Sequence, residues 1–73
     1  MSEFYRAIVD DDNYWIVEET KKHIGNDPLN EWLNAEERYL VCYTKTKPEA
    51  KQQIINIFNE RINTANRIIG ELS

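Results

Sequence analysis

The chain has few of the residues that small proteins use to build disulfides, metal sites and catalytic centres. Its 73 residues include one cysteine, one histidine and two glycines. A single cysteine cannot form an internal disulfide, and with one histidine it cannot supply the usual ligands of a structural zinc ion. A domain of this size buries only about 60% of the surface that its unfolded chain exposes. The sequence therefore predicts one domain over residues 1–73, with no metal or cofactor, that gains further stability from self-association or a partner.

Long hydrophobic runs are absent as well. No apolar stretch approaches the roughly 20 residues that are needed to cross a bilayer. The start of the chain shows neither a basic leader nor an apolar signal segment. We therefore expect no membrane contact. Because small exported domains usually depend on several disulfides, the lone cysteine predicts a location in the reducing cytoplasm.

Positive charge is in deficit. Nine lysines and arginines stand against 13 aspartates and glutamates, and the net charge is −4. Such a chain repels polyanions, so we do not expect it to bind nucleic acid. The acids are concentrated at residues 10–12 and 18–19. This concentration leaves one alternative function open, a phage or mobile-element inhibitor that imitates the charge of nucleic acid with its carboxylates.

The residue types that carry enzyme chemistry are few and scattered. His23 has no serine or cysteine close to it in sequence, and Cys42 lies in an apolar segment where a thiol more often packs than reacts. With only Gly25 and Gly70, the chain has no glycine-rich phosphate loop. A loop beginning at Asp10 lacks the glycine and glutamate that an EF-hand requires. The sequence predicts no enzyme, no catalytic residue and no small-molecule substrate.

Three segments are dense in β-branched and aromatic residues, the composition typical of strands. They are residues 4–9, 14–20 and 38–44. The acidic connection between the first two suits a tight hairpin, so we expect these two strands to pair in antiparallel.

The segment before the third predicted strand has the signals of a short helix. Asp27 can cap it and Pro28 suits its first turn. Its apolar face would consist of Leu29, Trp32 and Leu33.

The last part of the chain has the clearest pattern, that of a helix beginning at Pro48. Proline suits the first turn, and Glu49 then lies at the positive end of the helix dipole. Apolar residues recur with helical spacing as far as Leu72 and form one broad stripe. Six of them follow alternating steps of three and four residues, the spacing of a coiled coil. This set, the seam, comprises Ile55, Phe58, Ile62, Ala65, Ile69 and Leu72.

These elements predict an α+β fold with the order β-β-α-β-α, in which a small three-stranded antiparallel sheet packs on the long C-terminal helix. The alternative is an all-α bundle, in which residues 12–25 form a helix with acids at its start and basic residues at its end. We favour the sheet because β-branched and aromatic residues prefer strands. The residues expected in or near the core are Trp15, Trp32, Tyr39, Val41 and Ile62.

A sector of amide side chains borders the apolar stripe of the last helix. This amide strip comprises Gln52, Asn56, Asn59, Asn63 and Asn66. An amide needs hydrogen bonds but no counter-ion, so it is desolvated at lower cost than a charge and suits the rim of an interface. The alternative is that the strip is ordinary solvated surface. The residues predicted to bind a partner are Ile55, Phe58, Asn59, Ile62, Asn63, Asn66 and Ile69.

The connection before the last helix contains a candidate anion site. Two threonines and two lysines precede the helix, whose first N–H groups lack intrahelical partners and attract anions. The candidate ligands are Thr44, Lys45, Thr46 and Lys47.

Together these features predict a small acidic protein-interaction module, an adaptor, regulator or inhibitor of a larger protein. We expect it to form a homodimer through its C-terminal helix, because the seam offers more apolar surface than a thin core can cover.

Overall fold

A computed structural model describes residues 4–20, 28–35 and 39–73 of the chain. Four strands precede one helix, so the fold is α+β, as the sequence predicts. The elements are β1 (Phe4–Val9), β2 (Tyr14–Glu19), β3 (Trp32–Ala35), β4 (Tyr39–Thr44) and α1 (Lys47–Leu72).

The strands form one antiparallel sheet in the order β2-β1-β4-β3. The predicted hairpin of β1 and β2 is confirmed, and the backbone N–H of Asp10 closes it by donating to the carbonyl of Asn13 at 3.0 Å. Ala7 in β1 lies opposite Ile16 in β2 and Cys42 in β4. Directly opposed residues point to the same side of a sheet, and this side faces α1.

The prediction of a short helix between the second and third predicted strands is wrong. Residues Trp32–Ala35 form a fourth strand, which pairs with β4 in the register that sets Trp32 opposite Cys42. Asn30 adopts a left-handed backbone conformation with φ of 65°, which ends any helix begun at Pro28. Its N–H instead donates to the carbonyl of Tyr43 at 2.8 Å. The predicted cap, Asp27, lies outside the described residues.

The all-α alternative is also wrong for the part of residues 12–25 that the structure describes. Residues Tyr14–Glu19 form β2, and residues 21–25 lie outside the described part of the chain. The pairing of β2 with β1 explains the outcome, because every β2 residue has a partner across the strand pair. An isolated helix of this length would lack that support.

The core lies between the sheet and the first half of α1. Its buried residues are Ala7, Val9 and Cys42 from the sheet and Ala50, Ile54 and Ile57 from the helix.

The sequence placed some of the large apolar residues wrongly. Val41 is buried and Trp32 packs against the core, as expected. Trp15 is exposed because it points to the face of the sheet away from α1, where its ring meets that of half-buried Tyr39 edge to face at 6.4 Å. Ile62 is exposed because its side of α1 is turned away from the buried helix residues, as is that of Ile55 one heptad earlier.

Helix α1 begins at Lys47, one residue before the predicted start at Pro48. Thr46 is the N-cap: its hydroxyl accepts from the backbone N–H of Glu49 at 3.3 Å and donates to the carboxylate of Glu49 at 2.9 Å. This reciprocal pair satisfies an N–H group that would otherwise lack a partner, and Pro48 in the first turn needs none.

The helix is longer than the sheet beneath it. Its 26 residues extend about 39 Å at the usual helical rise, and the molecule measures 51 Å along its longest axis. The three buried helix residues lie at or before Ile57, and every residue from 62 to 72 is exposed. We call residues 47–61 the docked segment and residues 62–72 the tail.

Candidate interaction surface

The seam is largely uncovered. The exposed fractions are 52% for Ile55, 57% for Ile62, 62% for Ile69 and 84% for Leu72. Phe58 is half-buried against the core. Single exposed apolar residues are common on protein surfaces, whereas a contiguous line of them along one helix makes that side of the helix a candidate interaction surface.

The seam runs along the flank of α1 above the edge strand β2. On a helical wheel its centre lies about 80° around the axis from the direction of the buried helix residues. The structure identifies the flank, because Ile55 and Phe58 lie beside Tyr14 and Ile16 of β2.

A groove of about 570 Å³ lies between this flank and the β1–β2 hairpin. Its walls are mainly apolar, and Asp12 and Lys51 are its charged residues. Since Ile55 and Phe58 also belong to the seam, the seam and the groove form one continuous surface. The groove is lined by Asp12, Tyr14, Ile16, Lys51, Ile54, Ile55, Phe58 and Asn59.

Sequence reasoning missed the sheet side of this groove. Tyr14 and Ile16 are two residues apart in a strand and therefore share one face. The sequence shows that alternation. It does not show that this face of the strand lies beside α1 at the edge of the sheet. The position of β2 follows from the strand order, which no local pattern indicates.

Arg61 is the one charged residue within the apolar stripe, and the structure ties it to the sheet. Its guanidinium donates to the backbone carbonyls of Asp10 and Asp11 in the β1–β2 turn, the first at 3.4 Å. It also lies 5.2 Å from the ring centre of Phe58. These contacts hold the end of the docked segment on the hairpin and draw the charge toward the sheet.

The amide strip lies on the side of α1 opposite the sheet, and all its members are exposed. Within it, the side-chain amide of Gln52 donates to that of Asn56 at 2.9 Å. Asn59 and Asn66 each come four residues after a seam residue, Ile55 and Ile62, which is about 40° around the helix, so they lie at the border of the seam. Asn63 lies further around the helix. The predicted partner-binding residues thus share one side of α1, and no contact in the structure tests whether they bind.

The candidate anion site is divided by the fold. Thr44 is buried, and its hydroxyl donates to the carbonyl of Thr46 at 2.8 Å. Thr46 and Glu49 already serve the helix N-terminus, and Glu49 brings a negative charge to it. Lys45 lies 4.6 Å from the ring centre of Phe4, and Lys47 is exposed in the first turn. Two of the four predicted ligands are therefore occupied within the chain, and anion binding stays a prediction.

The prediction that Cys42 is a packing residue is confirmed. The side chain is fully buried in the core, and burial raises the pKa of its thiol to about 11. A thiol that stays protonated at neutral pH is a poor nucleophile. His23 lies outside the described residues, and in the described part of the chain no three His, Cys, Asp or Glu side chains converge as metal ligands.

The acids that suggested nucleic-acid mimicry are partly used within the chain. Asp10 is buried, and its carboxylate accepts from the backbone N–H of Asp11 at 2.8 Å. Glu19 forms an ion pair with Arg6 at 3.1 Å. Mimicry stays a prediction, and no contact in the structure favours it.

Comparison of the chain with protein-family models, curated proteins and solved structures gives no match. Among the described residues, no helix combines the length and the apolar character that crossing a membrane requires.

Proposed function

We propose that this protein is a small cytoplasmic interaction module, an adaptor, regulator or inhibitor of a larger protein, that self-associates through the seam of α1. Its activity is binding, and its working surface is the seam together with the groove beside β2. One observation carries the proposal, the continuation of the seam past the sheet into a tail with four large apolar residues exposed, Ile62, Ile68, Ile69 and Leu72.

The energetics of the tail support this function. Burying an isoleucine or leucine side chain fully is worth roughly 1.5–3 kcal/mol. Small domains have only a few kcal/mol of net stability, so leaving several such side chains in water is costly in relative terms. A helical segment of about three turns is also marginal in water without packing. Association through the seam would stabilise the tail on both counts.

The spacing of the tail favours a helical partner over a flat one. Ile55, Ile62 and Ile69 recur every seven residues, and so do Phe58, Ala65 and Leu72. This repeat presents one straight line of knobs to a facing helix. A second copy of α1 has the same repeat, which makes self-association the simplest use of the surface.

The test compares the mass of the parent protein with that of the double variant Ile62→Ser, Ile69→Ser across a concentration series, by sedimentation equilibrium or light scattering. We expect a concentration-dependent dimer for the parent and at least a tenfold or so higher Kd for the variant, since each lost contact is worth about 1 kcal/mol or more. Both replaced residues are exposed, so the fold should persist.

The matched control is Glu60→Ser, Arg67→Ser. These residues have the same spacing of seven but lie on the side of α1 opposite the seam, and both are exposed. The control should dimerise like the parent. A parent that remains monomeric at every concentration, or a control that loses association as the isoleucine variant does, would refute self-association through the seam.

A further inference from the structure

We propose that two copies pair antiparallel along their seams, so that the tail of each copy lies in the groove of the other. This proposal rests on the proposed self-association and adds its orientation and the surface that each tail contacts. It follows from the sizes of the seam residues, the position of the sheet along α1, and the charges at the two ends of the seam.

The seam is self-complementary in size when it is reversed. In antiparallel coiled coils the two core positions of the repeat face each other. In the register that sets Ile62 of one copy opposite Ala65 of the second, Ile69 meets Phe58 and Leu72 meets Ile55. The smallest residue thus faces a larger one, and the largest, Phe58, faces an aliphatic one. The layers then differ less in volume than they would if like residues faced each other, which suits dense packing.

The parallel arrangement lacks this complementarity. It would place Ala65 against Ala65 and Phe58 against Phe58, which leaves one layer underfilled and another crowded. Underfilled and overfilled layers both destabilise a core.

The sheets also fit better in the antiparallel arrangement. The sheet of each copy packs on the docked segment, and the tail runs past it. In the proposed register residues 62–72 of the second copy lie beside residues 55–65 of the first. The second sheet is then level with the end of the first tail and beyond it, so the two sheets lie at opposite ends of the helix pair.

The groove receives the end of the opposite tail. Ile69 and Leu72 of the second copy come level with Phe58 and Ile55, which line the groove together with Tyr14 and Ile16. The groove therefore extends the contact from the helix to the edge strand. The tail that reaches it is largely exposed in the single copy, so none of the described residues must be displaced from it.

Charge is complementary at the end of the groove. The last turn of α1 contains Glu71 and no basic residue, so the negative end of its dipole lacks a compensating cation. Lys51 lines the groove one heptad before Phe58. It therefore continues the seam line and, in the proposed register, lies about one turn beyond the end of the opposite helix, where its cation is close to the negative end of the dipole.

The amide strip acquires a role in the same arrangement. Asn59 and Asn66 border the seam on one side, and antiparallel pairing sets Asn59 of each copy beside Asn66 of the other. An amide both donates and accepts, so the two can satisfy each other without a counter-ion. Parallel pairing would keep these two residues apart.

Disulfide trapping tests the orientation. The variants Ile55→Cys and Leu72→Cys are prepared separately, mixed in a glutathione redox buffer, and the resulting dimers are identified by mass spectrometry of peptides. Cys42 stays in place because it is buried and its thiol is protonated. We expect the mixed 55–72 disulfide to exceed each same-residue disulfide by about fivefold or more, a preference of about 1 kcal/mol.

The outcomes separate this proposal from the proposed function. A predominance of the mixed disulfide supports antiparallel pairing. If 55–55 and 72–72 dimers predominate, or all three form in random proportion, the antiparallel register is wrong, while dimerisation of the parent protein would still support the proposed function. If no disulfide dimer exceeds that of a Glu60→Cys control and the parent is monomeric, both proposals fail.

A second variant pair gives a readout without cysteine. Asn59→Glu combined with Asn66→Lys brings opposite charges together in antiparallel dimers and should lower the Kd, whereas Asn59→Glu combined with Asn66→Glu should raise it by about tenfold. Equal dimer affinity for the two variants would contradict the predicted contact between residues 59 and 66.

Discussion

The two parts of α1 have similar apolar content and opposite surroundings. The docked segment places Ala50, Ile54 and Ile57 in the core, while the tail leaves Ile68 and Ile69 in water. The helical pattern runs through both parts without a break. The spacing of apolar residues therefore identifies a face of the helix that is able to pack. The length of the sheet determines how much of that face is covered within one chain.

The largest expected difference between the two parts comes from truncating one isoleucine in each. Ile57 and Ile68 lie on nearly the same side of α1, but Ile57 is buried and Ile68 is exposed. Ile57→Ala should lower the free energy of unfolding by about 2–4 kcal/mol because it leaves a cavity. Ile68→Ala should change it by less than about 0.5 kcal/mol.

Urea unfolding at concentrations low enough to keep the protein monomeric measures both values. Equal losses at the two positions would mean that the tail packs within its own chain, and the comparison would no longer hold.

The next effect concerns the boundary between the two parts, where Arg61 holds α1 on the β1–β2 turn. Arg61→Gln should destabilise the fold by roughly 1–3 kcal/mol, because it removes a charged donor that bonds two backbone carbonyls, one partly buried and one exposed, and hydrogen bonds from charged groups are among the stronger ones. Arg67→Gln is the control: its ion pair with Glu71 spans 3.9 Å between exposed side chains. That pair contributes at most about 1 kcal/mol.

Thermal unfolding of both arginine variants gives the comparison. A loss at residue 67 that matches or exceeds the loss at residue 61 would show that Arg61 does not anchor the helix.

A third test uses pH to measure the burial of Cys42, which lies in the core beneath the docked segment. Burial raises the pKa of the Cys42 thiol from 9.0 to about 11. Between these values the unfolded chain releases the thiol proton and the folded chain keeps it, so the stability of the parent falls as pH rises. Below pH 9 this contribution is fully present.

Other groups also titrate in this range, so the parent is compared with Cys42→Ala at each pH by chemical denaturation. The advantage of the parent should shrink from pH 9 to 11. A constant difference would place the thiol in a more polar setting than the core.

The smallest expected effect lies in the tail, at Gly70. Glycine in a helix interior costs about 1 kcal/mol relative to alanine. A Cβ at this position would meet no atom within 4 Å. Gly70→Ala should therefore raise the helical signal of the tail in circular dichroism while changing the global unfolding free energy by less than about 1 kcal/mol. A lowered helical signal would indicate that the space around Gly70 is occupied.

Much of the fold was readable from local patterns. The β-branched and aromatic segments predicted three of the four strands, and Pro48 and Glu49 marked the start of α1. The fourth strand was not readable, because Pro28 and the apolar residues after it also satisfy the rules for a helix start. Residues Trp32–Ala35 form a strand because the left-handed conformation of Asn30 ends a helix and the edge of β4 offers hydrogen-bond partners.

The sequence by itself determined which residues of α1 form an apolar line and which form the amide strip, because helical periodicity depends only on spacing. Only the tertiary structure decided that the apolar stripe is buried at Ala50, Ile54 and Ile57 and exposed along the tail, since a sheet of short strands cannot span a helix of 26 residues. The groove likewise required the fold: Tyr14 and Ile16 are far from Ile55 and Phe58 in sequence, and only the order of the strands brings them together.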